Sequence, residues 1–464
     1  MEIMNVVMED WLKSQDSKEY FELLQFPTIG ADPAHLKDCV SAAMWLKKWL
    51  EKIGAEAELL LPQGAAKQNS NASVPVVYGE LKGAEGSTTV LVYGHYDVQP
   101  PDPLELWESA PFEPTVKNER VYCRGAQDDK GQIFAFLCGI RELIAAKHSP
   151  MPTIKFLLDG QEESGSGAIF ALLKEKEFQR KIAADVLLVS DTNAAADLRP
   201  AIVAGLRGIN HFTVKLTAAN RDLHSGEYGG LAPNAAQGMA QLMSSLHNAD
   251  GSIAVEGFCD GIEPPTQEEF AAAQASFASI EAYEADIGTK PCGGEASLPA
   301  VKRVSFEPTI EINGIHTGYG GPGSKTVIPC QAIAKLSTRL VPGQNPLRTF
   351  EAIKEHLKAK CPDGMVVSFP EDSGLSSALR LALTSPIFSL AQDILSQMDK
   401  RGAAFLWNGA SIPVVAALRD ATCAAPLLVG WGQPEDRIHS PNESFSVKQF
   451  AASKEWAKRI IAEL

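Results

Sequence analysis

The feature that most constrains this chain is a set of four short apolar runs that lead into His, Asp or Glu. They are TTVLVYG (88–94), TIKFLLD (153–159), DVLLVS (185–190) and PLLVGW (426–431). Rich in Val, Ile and Leu, they have the continuous character of strands buried on both faces. Between and after them lie segments with helical spacing, at 131–147, 168–179, 385–398 and 447–463. That alternation predicts an α/β fold with a mostly parallel sheet and helices on both of its faces. Ahead of it, residues 1–85 read as helices, with an amphipathic run at Val40–Ile53, followed by a polar connection at QNSNAS.

At Arg207 the texture changes. HFTVKLT (211–217) alternates Phe212, Val214 and Leu216 with polar neighbours, as a strand with one wet face does. A helix at 234–247, strands near 305–313 and 332–340, a helix at 346–360 and a strand at 365–369 complete a β-α-β-β-α-β series, the split ferredoxin-like order. Residues 250–303 form an insertion within it that shows no readable period. A chain of 464 residues exceeds what one core usually serves. The predicted organisation is a first domain from residues 1–207 and 384–464, interrupted by a second at 208–383.

A formal net charge of −15 sets the chain against phosphate backbones and anionic lipid, so neither nucleic acid nor a membrane is an expected partner. The first residues carry acids where a secretion signal needs bases, and no apolar stretch nears the roughly 20 residues of a membrane span. The eight cysteines include no C-x-x-C pair and are expected to be reduced and mostly buried. The expected compartment is the cytoplasm.

The chemistry-bearing residues gather where strands end. Run 88–94 leads into His95 and Asp97, run 153–159 into Glu162 and Glu163, run 185–190 into Asp191, and run 426–431 on toward His439. The hairpin-like VYCRGAQDDKG (121–131) delivers Asp128 and Asp129 directly before a helix. In open parallel sheets, sites form at the carboxyl ends of strands, so these groups should meet in one crevice. Singly, each has an ordinary structural explanation: a hydrogen-bonded His–Asp pair, a solvated turn, a helix cap. Together, in a protein with nine histidines, they are hard to explain that way. Clustered carboxylates without cations repel one another and are costly to desolvate. Divalent cations remove that cost, and His plus carboxylate ligands without Cys suit Zn²⁺ while tolerating Mn²⁺ or Co²⁺.

The strings GHYDVQP, RGAQDDKGQ, DGQEESGS, VSDT and IHSPNE resemble, in order and spacing, the co-catalytic metallopeptidases of clan MH. That family includes carnosinase-type dipeptidases, aminoacylases and succinyl-diaminopimelate desuccinylase. WESAPFEP, RDLHSG and KTVIP place the likeness nearest its dipeptidase branch. The resemblance implies a catalytic domain with an inserted lid and dimerisation domain, and two zinc ions per chain. It implies that Asp128 bridges the ions, His95 and Asp191 complete one, and Glu163 and His439 complete the other. Asp97 would orient the His95 ring, and Glu162 would act as general base and then acid toward a metal-activated water. The Asp128–Asp129 peptide would be cis. His224 would reach the active site of a partner chain in a homodimer and polarise the scissile carbonyl. Arg339 would pair with a substrate carboxylate, and Thr326 and Ser411 would add hydrogen bonds.

One stretch departs from the family pattern. Leu406-Trp407-Asn408-Gly409-Ala410-Ser411 stands where relatives often carry charged residues and two glycines, so Trp407 and Ala410 are expected to reshape that loop. The leading reading is a dipeptidase. An N-acyl-amino-acid amidohydrolase with the same ions is the alternative, and a metal-binding protein without activity is disfavoured by the presence of Glu162.

Overall fold

The computed structural model describes residues 8–62, 74–370, 372–409 and 411–464. QNSNAS and Ala410 lie outside the described residues. The chain divides into two compact units, one of Met1–Ala204, Leu381–Leu406 and Ala417–Leu464, the other of Gly205–Arg380 and Trp407–Ala416. The second unit therefore takes in a short later segment as well as the long central one.

The sheet of the first unit runs in the order Glu56–Leu60, Val76–Leu81, Thr153–Asp159, Thr89–His95, Val186–Val189, Ala425–Gly430, Ala201–Leu206. Its four middle strands are the four apolar runs, and all three pairings among them are parallel. The flanking pairings are antiparallel. Val186–Val189 is buried at every position, and Thr89–His95 at all but its first. The parallel centre thus follows from runs that have no wet face. Glu56–Leu60 and Val76–Leu81 correct the expectation of helices and a connection alone in the first 85 residues. EAELL begins exposed and is only half-buried thereafter, as an edge strand is, so it shows no core pattern to read.

Two helices, Lys130–Ala145 and Val447–Glu463, pack closely in this unit. A Cβ at Gly139 would stand 2.4 Å from the Lys454 carbonyl oxygen and 2.7 Å from the Ala457 Cβ, so only glycine allows the approach. Ser446 opens the second of these helices with a reciprocal capping box to Gln449, which satisfies two otherwise orphaned donors. The segment expected as one helix at 168–179 is instead two, Gly167–Leu172 and Lys176–Lys181.

The second unit has the β-α-β-β-α-β order. Gly208–Thr217, Thr309–Thr317, Gln331–Leu340 and Val366–Ser368 supply the strands of that order, and Ala235–Ser244 and Pro346–Ala359 its helices, while Asp372–Ser376 adds a fifth strand against Gly208–Thr217. The spatial order is Thr309–Thr317, Gln331–Leu340, Gly208–Thr217, Val366–Ser368, with every neighbour antiparallel. Phe212, Val214 and Leu216 join Ala332, Ala334 and Leu336 in one core with Met239, Leu242, Phe350 and Ile353. The alternation legible in HFTVKLT is the alternation of that core face.

The insertion at 250–303 forms helices Gln267–Ser276, Ile280–Ile287 and Ala300–Ser305. Ile280–Ile287 buries no residue, and Gln267–Ser276 buries only Glu269 and Ala273, so neither has an apolar stripe to betray it. Among the described residues no helix is long and apolar enough to cross a membrane. All eight cysteines are free, but only Cys39, Cys123 and Cys138 are buried, which corrects the expectation of mostly buried thiols.

Candidate metal centre

Three strand ends and two loops of the first unit bring the acidic and histidine residues together. His95 is the last residue of Thr89–His95, and Asp191 stands two residues beyond Val186–Val189. Glu162 and Glu163 open a short 3₁₀ turn after Thr153–Asp159. Asp129 is the N-cap position of Lys130–Ala145, and the Asp128–Asp129 peptide is cis. His439 follows Ala425–Gly430 by a loop and adopts a left-handed φ of 59°.

Asp128 lies at the middle. Its Oδ1 is 3.1 Å from His95 Nε2 and its Oδ2 is 3.0 Å from His439 Nε2. Asp191 Oδ2 lies 3.8 Å from the same His95 nitrogen, and Glu163 Oε1 lies 3.3 Å from the same His439 nitrogen. Two ligand-type groups result: His95, Asp129 and Asp191 in one, and Asp128, Glu163 and His439 in the other, with donor atoms within 4.8 Å of one another in each. Asp128 faces one carboxylate oxygen toward each histidine.

The electrostatics are those of a site built for cations. Among the described residues no Lys or Arg ion-pairs with Asp97, Asp128, Asp129, Glu162, Glu163 or Asp191. Burial pushes Asp191 up to about 8. Burial also drives Glu162 well above the usual carboxylate range, and Asp191, Glu163 and Asp97 add to it. The hydrogen bonds to Asp128 and Glu163 raise His439 to about 10. Asp129 Oδ2 accepts the His95 N–H at 3.1 Å, while its Oδ1 is buried without a hydrogen-bond partner. Such an orphaned oxygen beside His95 and Asp191 fits an electropositive ligand, and an all-imidazole and carboxylate donor set fits divalent zinc, manganese or cobalt.

Asp97 does more than the sequence implies. Its Oδ1 and Oδ2 accept the amide N–H groups of Glu162 and Glu163 at 3.0 and 3.1 Å, which fixes the turn that carries both glutamates. Toward His95 its carboxylate is 3.4 Å from Nδ1, while its own carbonyl oxygen is nearer, at 3.1 Å. Gln99, inside the GHYDVQP string but given no role there, donates from Nε2 to Glu163 Oε2 at 2.8 Å. Asp129, expected in the crevice, and Glu443 both lie inside the motif strings, at QDDK and SPNE, yet the resemblance gives neither a ligand role.

In the second unit Arg339 and Ser411 are hydrogen-bonded to each other, while His224 and Thr326 lie on neighbouring segments joined through Val327 and Ser225. Arg339 Nη1 donates to Ser411 Oγ at 2.9 Å, and that hydroxyl donates in turn to the Arg207 carbonyl. Burial lowers the Arg339 pKa. His224 is exposed, pairs with Val327 across a two-residue ladder, and accepts the Gly226 N–H on Nδ1 at 3.0 Å. The Thr326 carbonyl accepts the Ser225 N–H at 3.1 Å, beside it. Trp407 packs on Phe306 with ring centroids 5.5 Å apart, so it builds this unit's satellite core.

The model for peptidase family M20/M25/M40 matches residues 91–463. Beta-Ala-His dipeptidase of Homo sapiens is 28% identical over 414 residues, covering 86% of this chain and 79% of that protein. Cys-Gly metallodipeptidase DUG1 of Saccharomyces cerevisiae is 25% identical over 462 residues, covering 95% of this chain and 93% of that protein. The M20 family metallo-carboxypeptidase Sso-CP2 from Sulfolobus solfataricus superposes with a TM-score of 0.85 at 27% identity, over 97% of this chain and 99% of that one.

Proposed function

The chain belongs to peptidase family M20/M25/M40, and on that premise we propose that it is a dinuclear metallodipeptidase. The observation that carries the reading is Asp128, whose two carboxylate oxygens stand 3.1 and 3.0 Å from histidines of two separate ligand groups. One ion would be held by His95, Asp191 and Asp128 and the other by Glu163, His439 and Asp128, with Asp129 available to the first through its unpartnered oxygen. When bound, two such ions supply Lewis acidity and bring the pKa of a water toward neutrality. Zinc suits the ligands best, and manganese or cobalt would serve.

Glu162 is the proton carrier. It belongs to neither ligand group yet directly precedes Glu163, so a free carboxylate stands beside the ligands, where it can take a proton from the attacking water and hand it to the leaving amine. Asp97 holds Glu162 and Glu163 in place through their amides. Arg339, braced by Ser411, receives the free carboxylate of a dipeptide through a guanidinium fork that lysine lacks. Thr326 contributes a substrate hydrogen bond. His224 donates to the developing oxyanion from the partner chain of a homodimer, and the enzyme works in the cytoplasm.

Dipeptides are favoured over N-acyl amino acids by the named activities of the human and yeast relatives. The test is elemental analysis of reconstituted protein followed by assays on unblocked, N-acylated and C-amidated dipeptides. About two ions per chain and turnover restricted to unblocked dipeptides are expected. No bound metal would remove the dinuclear reading, and faster cleavage of N-acyl amino acids would replace the substrate class.

A further inference from the structure

Glu443 is fully buried, and its carboxylate accepts four donors from one short stretch of the first unit. Oε1 takes the amide N–H groups of Gln127 and Asp128 at 2.9 and 3.1 Å. Oε2 takes the Gly125 N–H at 2.9 Å and Arg124 Nη1 at 2.7 Å. A carboxylate offers about four lone-pair sites, so all of this one's capacity is spent. The backbone carbonyl of Glu443 also accepts the Cys123 N–H at 3.1 Å, and the Ser444–Ser446 strand then pairs antiparallel with Arg120–Tyr122.

The order of these residues matters. Glu443 comes four positions after His439 in the same loop, and one of its acceptor bonds goes to the amide of Asp128 itself, the residue that His439 meets. Glu443 and Gln127 are 316 positions apart in the chain, so this carboxylate ties together two loops that the sequence leaves remote. A buried Arg–Glu pair kept for stability would need only Arg124. Three of the four donors are instead backbone amides at and beside Asp128.

We infer that Glu443 is a positioning residue for the bridging carboxylate. It holds the backbone of residues 125–128, and so sets where Asp128 Oδ1 and Oδ2 stand between His95 and His439. The inference rests on the dinuclear reading above.

The test is zinc affinity, measured by competition with a chromophoric chelator, together with thermal stability of the metal-free protein and steady-state kinetics. In Glu443→Gln the amide NH₂ must face two of the four donors, so two contacts to the loop are lost. Affinity for at least one ion should fall about 10–100-fold, the range typical when a group supporting a metal ligand is removed. The turnover number should fall while KM stays within about twofold, and excess zinc should restore occupancy. Arg124→Met leaves all three backbone amides bonded, so it should lower stability and keep wild-type zinc affinity. Unchanged affinity in Glu443→Gln, or an equal loss in Arg124→Met, would overturn the inference. If Glu443→Gln does not fold because Arg124 is left unpaired, the Arg124→Met/Glu443→Gln double variant removes both charges, and wild-type affinity in it has the same force. Wild-type protein that binds no zinc would defeat the dinuclear reading instead, a distinguishable outcome.

Discussion

Glu162 and Arg339 are residues whose surroundings make different demands. Glu162 is surrounded by other carboxylates and belongs to no ligand group, which suits a group that must gain and lose a proton. Glu162→Gln should therefore retain both metal ions and the native circular dichroism while the turnover number drops about 10²–10⁴-fold. Near-normal turnover in that variant would place the base elsewhere. Arg339 is half-buried, braced by one hydroxyl, and has no ion-pair partner among the described residues. If its counter-charge is the substrate, Arg339→Ala should cost unblocked dipeptides about 2–5 kcal/mol in kcat/KM, and C-amidated dipeptides almost nothing. Equal losses on both would mark it as structural.

At the scale of elements, the Gln15–Leu24 helix is fastened to the rest of its unit by charge. Asp16 Oδ2 lies 2.5 Å from Lys454 Nζ, and Arg141 pairs with both Asp16 and Glu19. Burial alone would raise the Asp16 pKa, but the hydrogen bond from Lys454 and the charge of Arg141 outweigh it and hold it below 3.8. A carboxyl depressed in the folded state stabilises the protein above its unfolded pKa. That contribution fades as the pH falls from about 3.8 through the lower folded value. Asp16→Asn should lower stability by roughly 1–3 kcal/mol at pH 7 in urea unfolding, and the gap from wild type should shrink below pH 4. A gap that is constant with pH would mean that Asp16 acts by packing.

At the scale of the whole molecule, the proposed trans role of His224 has a decisive mixing test. His224→Ala chains have Glu162 intact, and Glu162→Gln chains have His224 intact. If each active site draws these groups from two chains, mixing the two inactive proteins should regenerate activity in proportion to the heterodimer formed. If both groups come from one chain, every site in the mixture lacks one of them, and no activity should return. Active protein that sediments as a monomer would rule out the trans arrangement as well.

The sequence alone determined the parallel centre of the first sheet and the β-α-β-β-α-β order of the second unit. Continuous apolar runs and strict alternation each permit few folded arrangements, because burial must match the period of the side chains. It also put Asp128, Glu163, Asp191 and the two histidines at strand ends or in the loops beyond them, where a parallel sheet gathers such groups. Tertiary structure decided what has no local period. The edge strand Glu56–Leu60 and the sparsely buried helices of 250–303 carry too few core positions for a pattern. The hold of Glu443 on residues 125–128 depends on two loops 316 residues apart meeting through backbone amides, and no side-chain pattern encodes which carboxylate those amides will find.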